Sequence, residues 1–469
     1  MAINISRPEA KRILLLNPPG TQYYVRDKYC TSISVGKYYW PQIDLLVLSG
    51  RLKADYEVTI LDAVIERRTP ASLLFELVQR DYRAIFFLTS LASYSEDFAF
   101  IKAVKERCPA TQTIGIGGLL LMQGEAIMQR QPYLDAVLLD FTSERILDYL
   151  AGERGLADMI TRVDGEIVRG EINRNAMFSY PLPLHEQIGR GRYLMPVVPA
   201  PKFSVTIAST GCPYHCDFCV NSNIPFRVRN EENLLAELHE LQQSGFTHVI
   251  FHDPTFTVDR AYVLQLCRAM IEQGIRLKWA CQTRINRVDD ELLALMKRAG
   301  CQSIEYGAES GDDGMLAAMN KGITVAQIRE TLTATHRHGI STVCFFLIGM
   351  AGETEETIRR TIDLAIECDC DYASFSLPLP HPGTKLEEKL DRHEGKVVGN
   401  GLGGQMPALR WKMPTLAPEK IYHYRAIAYR RFYLRPAYIW KRIRKTQSLY
   451  ELWIQIRLSL GILKKIIKL

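Results

Sequence analysis

The densest grouping of chemistry-bearing residues in the 469-residue chain is GCPYHCDFC, which places three and then two residues between Cys212, Cys216 and Cys219. Three thiolates on one short loop can converge on a single metal centre, and an iron–sulfur cluster is the usual cargo. The loop holds no fourth cysteine. Three ligands on a four-iron cubane leave one iron open to another molecule, a catalytic arrangement rather than an electron-transfer one. A structural zinc wants a fourth Cys or His, and His215, lying between the ligands, is poorly placed to supply it. Further along, Asp253, Arg284 and Glu309 end apolar runs. Either carboxylate can hold an amino group or ribose hydroxyls, and the guanidinium can pair with a carboxylate. The bland reading of these three is solvated or barrel-capping charge. Cys267, Cys281, Cys301, Cys344, Cys368 and Cys370 read as buried small residues, with Cys281 nearest to a strand end.

These residues need a scaffold, and the pattern supplies one. FSVTIAST (203–210), HVIFHDP (248–254), LKWACQT (277–283), QSIEYGAES (302–310), TVCFFLIG (342–349) and YASFSLP (372–378) are apolar runs separated by helical stretches. Six β/α repeats suit a parallel barrel, complete or open, with its site at the strand C-termini. An earlier alternation runs through RILLLNPPG (12–20), YEVTILDA (56–63), AIFFLTS (84–90), QTIGIGG (112–118) and LDAVLLD (134–140). Near-continuously apolar strands each followed by a helix mean a parallel sheet covered on both faces, which binds ligands at its strand ends. The expected division is a Rossmann-like domain over 1–150, a linker over 151–201, the barrel over 202–400 and a basic helical extension over 401–469.

Composition fits folded domains: 47% hydrophobic and 23% charged residues exclude a disordered or collagen-like chain. No run of eighteen apolar residues signals a spanning helix, and the N-terminus does not resemble a secretory signal. Eleven cysteines without such a signal point to a reducing cytoplasm. The net charge of +6 is lopsided: from 410 to 469 there are 15 Lys and Arg against two Glu, or +13, leaving −7 for the rest. Interleaved with Tyr and Trp, those cations suit the surface of an anionic membrane. A helical cap packed on the barrel is the competing reading, with nucleic acid the least favoured of the three.

The cysteine spacing, with Phe218 as its aromatic, resembles the radical S-adenosylmethionine (SAM) superfamily, and the likeness extends over about 202–390. FHDPTFTVD (251–259) resembles the "DDxFT" strand end of its cobalamin-binding subgroup, and IEYGAESGDDGMLAAMNKG (304–322) the "GxESG" segment. FFLIGMAGETEETI (345–358) and LPLPHPGTKL (377–386) are similar to "GxPGET" and "PxPGT". The resemblance implies a [4Fe-4S] cluster on Cys212, Cys216 and Cys219, with SAM on the open iron and the backbone near Phe218 meeting its adenine. With SAM there, Asp253 or Glu309 is expected to hold its amino group or ribose hydroxyls, and Arg284 to pair with its carboxylate or with a neighbouring Glu.

The first 150 residues resemble the cobalamin-binding domain that often precedes this barrel, through NPPG, "ILDA", the hydroxyl-rich loop after the third strand and "GIGG". That likeness implies cobalamin held by Thr89, Ser90, Ser93, Gly117 and Gly118. Two departures stand out. The D-x-H-x-x-G signature is missing, implying cobalt without a histidine ligand, and DFTSE (140–144) replaces the usual "GEGE". The activity implied is methyl transfer to an unactivated carbon of an apolar substrate such as a lipid, terpenoid or tetrapyrrole, with a flavodoxin- or ferredoxin-type electron donor. A radical oxidase, cyclase or rearrangement enzyme is the alternative within the superfamily. A non-enzymatic cobalamin or redox sensor is the alternative outside it.

Overall fold

The computed structural model describes residues 11–28, 31–34, 38–188, 192–392, 416–446 and 448–468. The first ten residues, the expected barrel end over 393–400 and the start of the extension over 401–415 lie outside them. The chain divides into two compact units: the described residues up to 34 with Pro41–Arg192, and 38–40 with the described residues from 193 onward.

The first unit opens with β1 (Arg12–Asn17), a small antiparallel hairpin of β2 (Tyr24–Arg26) and β3 (Thr31–Ile33), and α1 (Ile43–Leu52). Then follow β4 (Glu57–Asp62), α2 (Pro70–Val78), β5 (Tyr82–Leu88), α3 (Tyr94–Arg107), β6 (Gln112–Ile116), α4 (Gly118–Arg130), β7 (Ala136–Leu138) and α5 (Arg145–Leu150). The sheet order is β4-β1-β5-β6-β7, all parallel. Ile13 to Leu16 and Ala84 to Leu88 are buried at every position, as helices on both faces require. The order reverses between β1 and β5, where a doubly wound sheet places its ligand crevice.

Part of the stretch expected to be a linker departs from that expectation. β8 (Met159–Val163) and β9 (Glu166–Arg169) form an antiparallel hairpin that extends the sheet beyond β7. As outer strands with one face in solvent they are half polar, so they lack the apolar run that marks the inner strands. The short β10 (Met177–Phe178) follows.

The second unit carries β11 (Phe203–Thr206), a ribbon of β12 (Ser209–Thr210) and β13 (Arg227–Arg229), α6 (Glu231–Gln243), β14 (His248–Phe251), α7 (Arg260–Glu272), β15 (Lys278–Arg284) and α8 (Asp290–Arg298). It continues through β16 (Cys301–Glu309), α9 (Asp313–Ala318), α10 (Val325–Arg337), β17 (Ser341–Leu347), α11 (Glu355–Glu367), β18 (Tyr372–Ser376) and α12 (Lys385–Arg392). The strands pair in parallel in the order β11-β14-β15-β16-β17-β18, the expected open six-stranded barrel. Side-chain caps start its helices: Asn230, Asp259, Asp289, Asp312, Thr324 and Thr354 each accept a first-turn N–H.

The strand face turned to the helices is the main core, with Phe251, Trp279, Cys281, Ile304, Tyr306, Cys344, Phe346 and Phe375. Cys281 therefore packs among helices, not in a site. Cys267, Cys301 and Cys370 are equally buried. The extension is helical: α13 (Pro418–Tyr433), α14 (Pro436–Lys445) and α15 (Leu449–Lys468). Among the described residues no helix is long and apolar enough to cross a membrane.

Candidate active site

The cysteine loop leaves the barrel just past β12, at Gly211. This residue has φ +68°, and a Cβ there would lie 2.3 Å from the carbonyl oxygens of Ile224 and Pro225, so only glycine lets the loop turn against its returning strand. Asp253, at the end of β14, pins the approach. Its carboxylate accepts from Ala208 N at 3.1 Å and from the backbone and hydroxyl of Ser209. Burial pushes that carboxyl up to about 6, opposed by the Ser209 and Ala208 donors. Asp253 was expected on SAM; its oxygens are instead committed to the loop that leads to Cys212. Farther on, Asp217 N donates to Met319 O at 3.1 Å and Asn320 Nδ2 to His215 O at 2.6 Å. The His215 side chain is exposed.

Cys212 and Cys216 are buried and Cys219 is half-buried. Cys212 Sγ lies 3.5 Å from Thr255 Oγ1. Burial pushes the Cys219 thiol up to about 12, and after the opposing Asn221 N–H the nearby Cys216 and Cys212 raise it further. Among the described residues no three His, Cys, Asp or Glu side chains gather at single-ion spacing. A cubane asks something different: three thiolates at three corners, on one loop, with no fourth protein donor. The cysteine loop has that donor set.

Around the loop stand a cationic pair and an acid. Arg284 Nη1, at the end of β15, donates to Cys216 Sγ at 3.1 Å, Nη2 donates to Lys321 O, and the guanidinium lies 4.2 Å from the centre of the Tyr214 ring. Lys321 Nζ donates to Glu309 Oε1 at 2.6 Å, both side chains buried, and sits 5.9 Å from the centre of the Phe218 ring. Glu309 ends β16 at φ +63°, a conformation few non-glycine residues hold without a reason at the site. A Cβ at Gly307 would lie 2.5 Å from Glu309 Oε1 and 2.6 Å from Lys321 Nζ, so the glycine leaves room for the pair. Arg284, Glu309 and Phe218 thus stand together around the cysteine loop, with Lys321 among them. Lys321 was missed: it lies inside the quoted 304–322 segment, but nothing in its spacing marks it until the fold lays it beside Glu309.

In the first unit the hydroxyl loop after β5 is tied inward. Arg26, fully buried, donates to Asp97 Oδ1 at 2.7 Å, Ser93 Oγ at 3.0 Å, Asn17 Oδ1 at 2.8 Å and Pro18 O at 2.9 Å. Ser93 Oγ donates to Asp97 at 2.6 Å and lies 2.9 Å from Ser90 Oγ. Ser90 and Ser93 are therefore held by protein partners at the switch between β1 and β5. Thr89 Oγ1 differs: it is buried and makes no hydrogen bond of ordinary length and angle, and Ser34 Oγ and Asp44 Oδ1 share that condition. Gly117 turns from β6 into α4 at φ +133°, where a Cβ would lie 2.3 Å from Thr89 O. The buried Thr89 hydroxyl, turned toward Asp97 without a well-formed hydrogen bond, stands beside a two-glycine turn, an arrangement that fits a polar ligand group at the strand ends.

Three thiols on a pinned loop, at the strand ends of an open parallel barrel, define a cluster-binding catalytic domain. Residues 206–365 match the family model described as the Radical SAM superfamily, and this part of the chain is a radical SAM domain. The chain is 26% identical over 428 residues to an uncharacterized methyltransferase of Pyrococcus horikoshii, covering 86% of this chain and 90% of that protein. It is 32% identical over 187 residues to the anaerobic magnesium-protoporphyrin IX monomethyl ester cyclase of Cereibacter sphaeroides, covering 38% of this chain and 31% of the cyclase. Among solved structures, the radical SAM methyltransferase TsrM of Kitasatospora setae, with cobalamin and a [4Fe-4S] cluster bound, superposes with a TM-score of 0.67 at 18% identity, covering 97% of this chain and 99% of that one. At that identity the likeness shows a shared fold, that of the cobalamin-dependent radical SAM enzymes.

Proposed function

We propose that the protein is a cobalamin-dependent radical SAM methyltransferase acting on an unactivated carbon of an apolar small molecule. The observation that carries this reading is the donor set at the barrel mouth: three loop thiols, with Arg284 against Cys216 and the Glu309–Lys321 pair beside Phe218. When bound, the cluster supplies an electron, SAM the hydrogen-abstracting radical, and cobalamin the methyl group. Cys212, Cys216 and Cys219 would hold the cluster, and Glu309 and Lys321 would meet the amino and carboxylate groups of SAM near Phe218. Asp253 positions the loop, and Arg284 faces its charge. Thr89 and the Gly117–Gly118 turn would hold cobalamin, with Ser90 and Ser93 keeping the Thr89 loop in place through Arg26.

An external flavodoxin- or ferredoxin-type protein would deliver the electron. The likeness to a tetrapyrrole cyclase over 187 residues supports an apolar substrate, and it keeps radical cyclisation as the second reading. The test is anaerobic reconstitution with iron, sulfide and cobalamin, followed by SAM and dithionite. 5′-Deoxyadenosine should form, and should vanish with cluster absorbance when Cys212, Cys216 and Cys219 are replaced by Ala. A triple variant that keeps its iron and sulfide would refute the ligand assignment. Methyl-labelled SAM then separates the readings: label in the product means methyl transfer, and an unlabelled dehydrogenated product means cyclisation.

A further inference from the structure

One half-buried acid has no part in the machinery described so far. Residues alternate along β16: Ile304, Tyr306 and Ala308 enter the helix-packed core, so Ser303, Glu305 and Gly307 lie on the opposite, concave face of the open barrel. Register places Glu305 beside Gln282 of β15 and Val343 of β17, with Arg284 and Phe345 flanking Gly307 one layer nearer the mouth. Two residues of strand span about 6.6 Å. Glu305 therefore stands one side-chain layer beneath the Arg284–Lys321–Glu309 group, within reach of a small molecule lying in the barrel.

The Glu305 carboxyl has no hydrogen bond or ion pair among the described residues, yet it is half-buried in a face where Ile250, Ala280, Val343 and Phe345 supply apolar surface. A half-buried carboxylate with no protein partner keeps part of its desolvation cost, which a cationic donor from a ligand would offset. Burial pushes it up to about 7, with His252 opposing. A carboxylate on the ligand would be repelled here, and a hydrocarbon would leave the acid unsatisfied. A protonated amine supplies both the opposite charge and the missing donors.

We infer that Glu305 anchors a protonated nitrogen of the substrate, whose apolar body lies against the concave face of the barrel. This rests on the proposed function and narrows its substrate class to an apolar skeleton bearing one amino group. The test uses the full chain with its reconstituted cluster and anaerobic calorimetry at pH 8. The probes are phenethylamine and octylamine, each against the alcohol of the same skeleton. Wild type should bind each amine at least ten-fold more tightly than its alcohol. Glu305→Gln, close in shape to the native side chain, and Glu305→Ala should both lose that preference while alcohol binding stays within two-fold. Equal binding of amine and alcohol, no amine binding to wild type, or a preference kept in Glu305→Gln would each overturn the inference. 5′-Deoxyadenosine formation in the same preparation reports separately on the functional reading. A protein that prefers amines but cleaves no SAM would refute that reading and leave the Glu305 anchor standing.

Discussion

Arg284 shows how one side chain can couple two parts of the site. It donates to Cys216 Sγ at 3.1 Å and to the backbone carbonyl of Lys321. A cationic donor at a cluster sulfur favours the reduced, more negative state. A charge-assisted hydrogen bond is worth about 1.5–3 kcal/mol, so Arg284→Met should lower the cluster's one-electron reduction potential by up to roughly 130 mV. Redox titration followed by electron paramagnetic resonance checks this, and an unchanged potential would mean that Arg284 exerts no field at the cluster. In the other unit, burial and then the neighbouring Asp27 push the Asp44 carboxyl from 3.8 up to about 7. Between those values the folded state binds the extra proton, so this residue's contribution makes stability fall as pH rises from about 4 to 7. Asp44→Asn removes that contribution. The variant should gain about 4 kcal/mol over wild type at pH 8, and the gain should shrink toward pH 4. Thermal unfolding across pH measures it.

At the scale of elements, the informative case is the outer strand β18. An exposed strand edge invites unwanted pairing, and α13 covers this one with aromatic hydroxyls. Tyr433 Oη donates to Ala373 O at 2.7 Å and accepts from Ala373 N at 3.1 Å, while Arg425 Nε donates to Phe375 O at 2.8 Å. Ile421, Tyr424, Ala428, Tyr429 and Phe432 join the barrel core from the same helix. Tyr433→Phe keeps the ring and removes both hydrogen bonds, leaving the Ala373 groups unsatisfied. It should destabilise the barrel by about 1–3 kcal/mol in urea unfolding, and an unchanged midpoint would show that the edge is satisfied otherwise. The sequence made the inner strands legible because burial on both faces writes continuous apolar runs. It hid β8 and β9, whose outer position leaves them half polar. It also hid the partners of site residues: Arg26 meets Asp97 across 71 positions and Lys321 meets Glu309 across 12. No local periodicity carries such pairings. The cysteine loop was legible for the opposite reason, since its three ligands lie on one turn of chain.

Over the whole molecule the charge asymmetry finds part of its cause inside the second unit. Asp371 is fully buried and accepts from Lys445 Nζ at 2.7 Å, with Lys441 at 3.4 Å and Arg442 at 3.8 Å; Lys420 and Arg431 pair with Glu355 and Asp363 of α11. Burial alone would raise the Asp371 carboxyl, but Lys441 and Lys445 hold it below its ordinary range. Basic residues of α13 and α14 thus act as a cap on an acidic barrel, in line with the packing alternative to membrane contact. The cap does not account for the outer surface. Trp440 is 62% exposed and Ile443 57% on α14, and Leu449, Leu452, Trp453, Ile456 and Leu460 are exposed at helical spacing along α15. The exposed Arg444 lies beside this surface, and Arg457 lies 5.2 Å from the centre of the Trp453 ring. Apolar rings flanked by cations suit the headgroup depth of an anionic bilayer. Removing the extension would test this badly, because α13 is part of the core. Surface substitution is the sharper test. Burying a large apolar side chain contributes about 1.5–3 kcal/mol, and each engaged cation about 1 kcal/mol. Wild type should therefore float with phosphatidylserine-containing vesicles at low salt. A variant carrying Trp440→Ser, Trp453→Ser and Ile456→Ser should lose at least ten-fold in vesicle-bound protein while its urea midpoint is unchanged. Equal flotation of the two proteins would show that this face does not enter the bilayer, and would leave the extension as a cap alone.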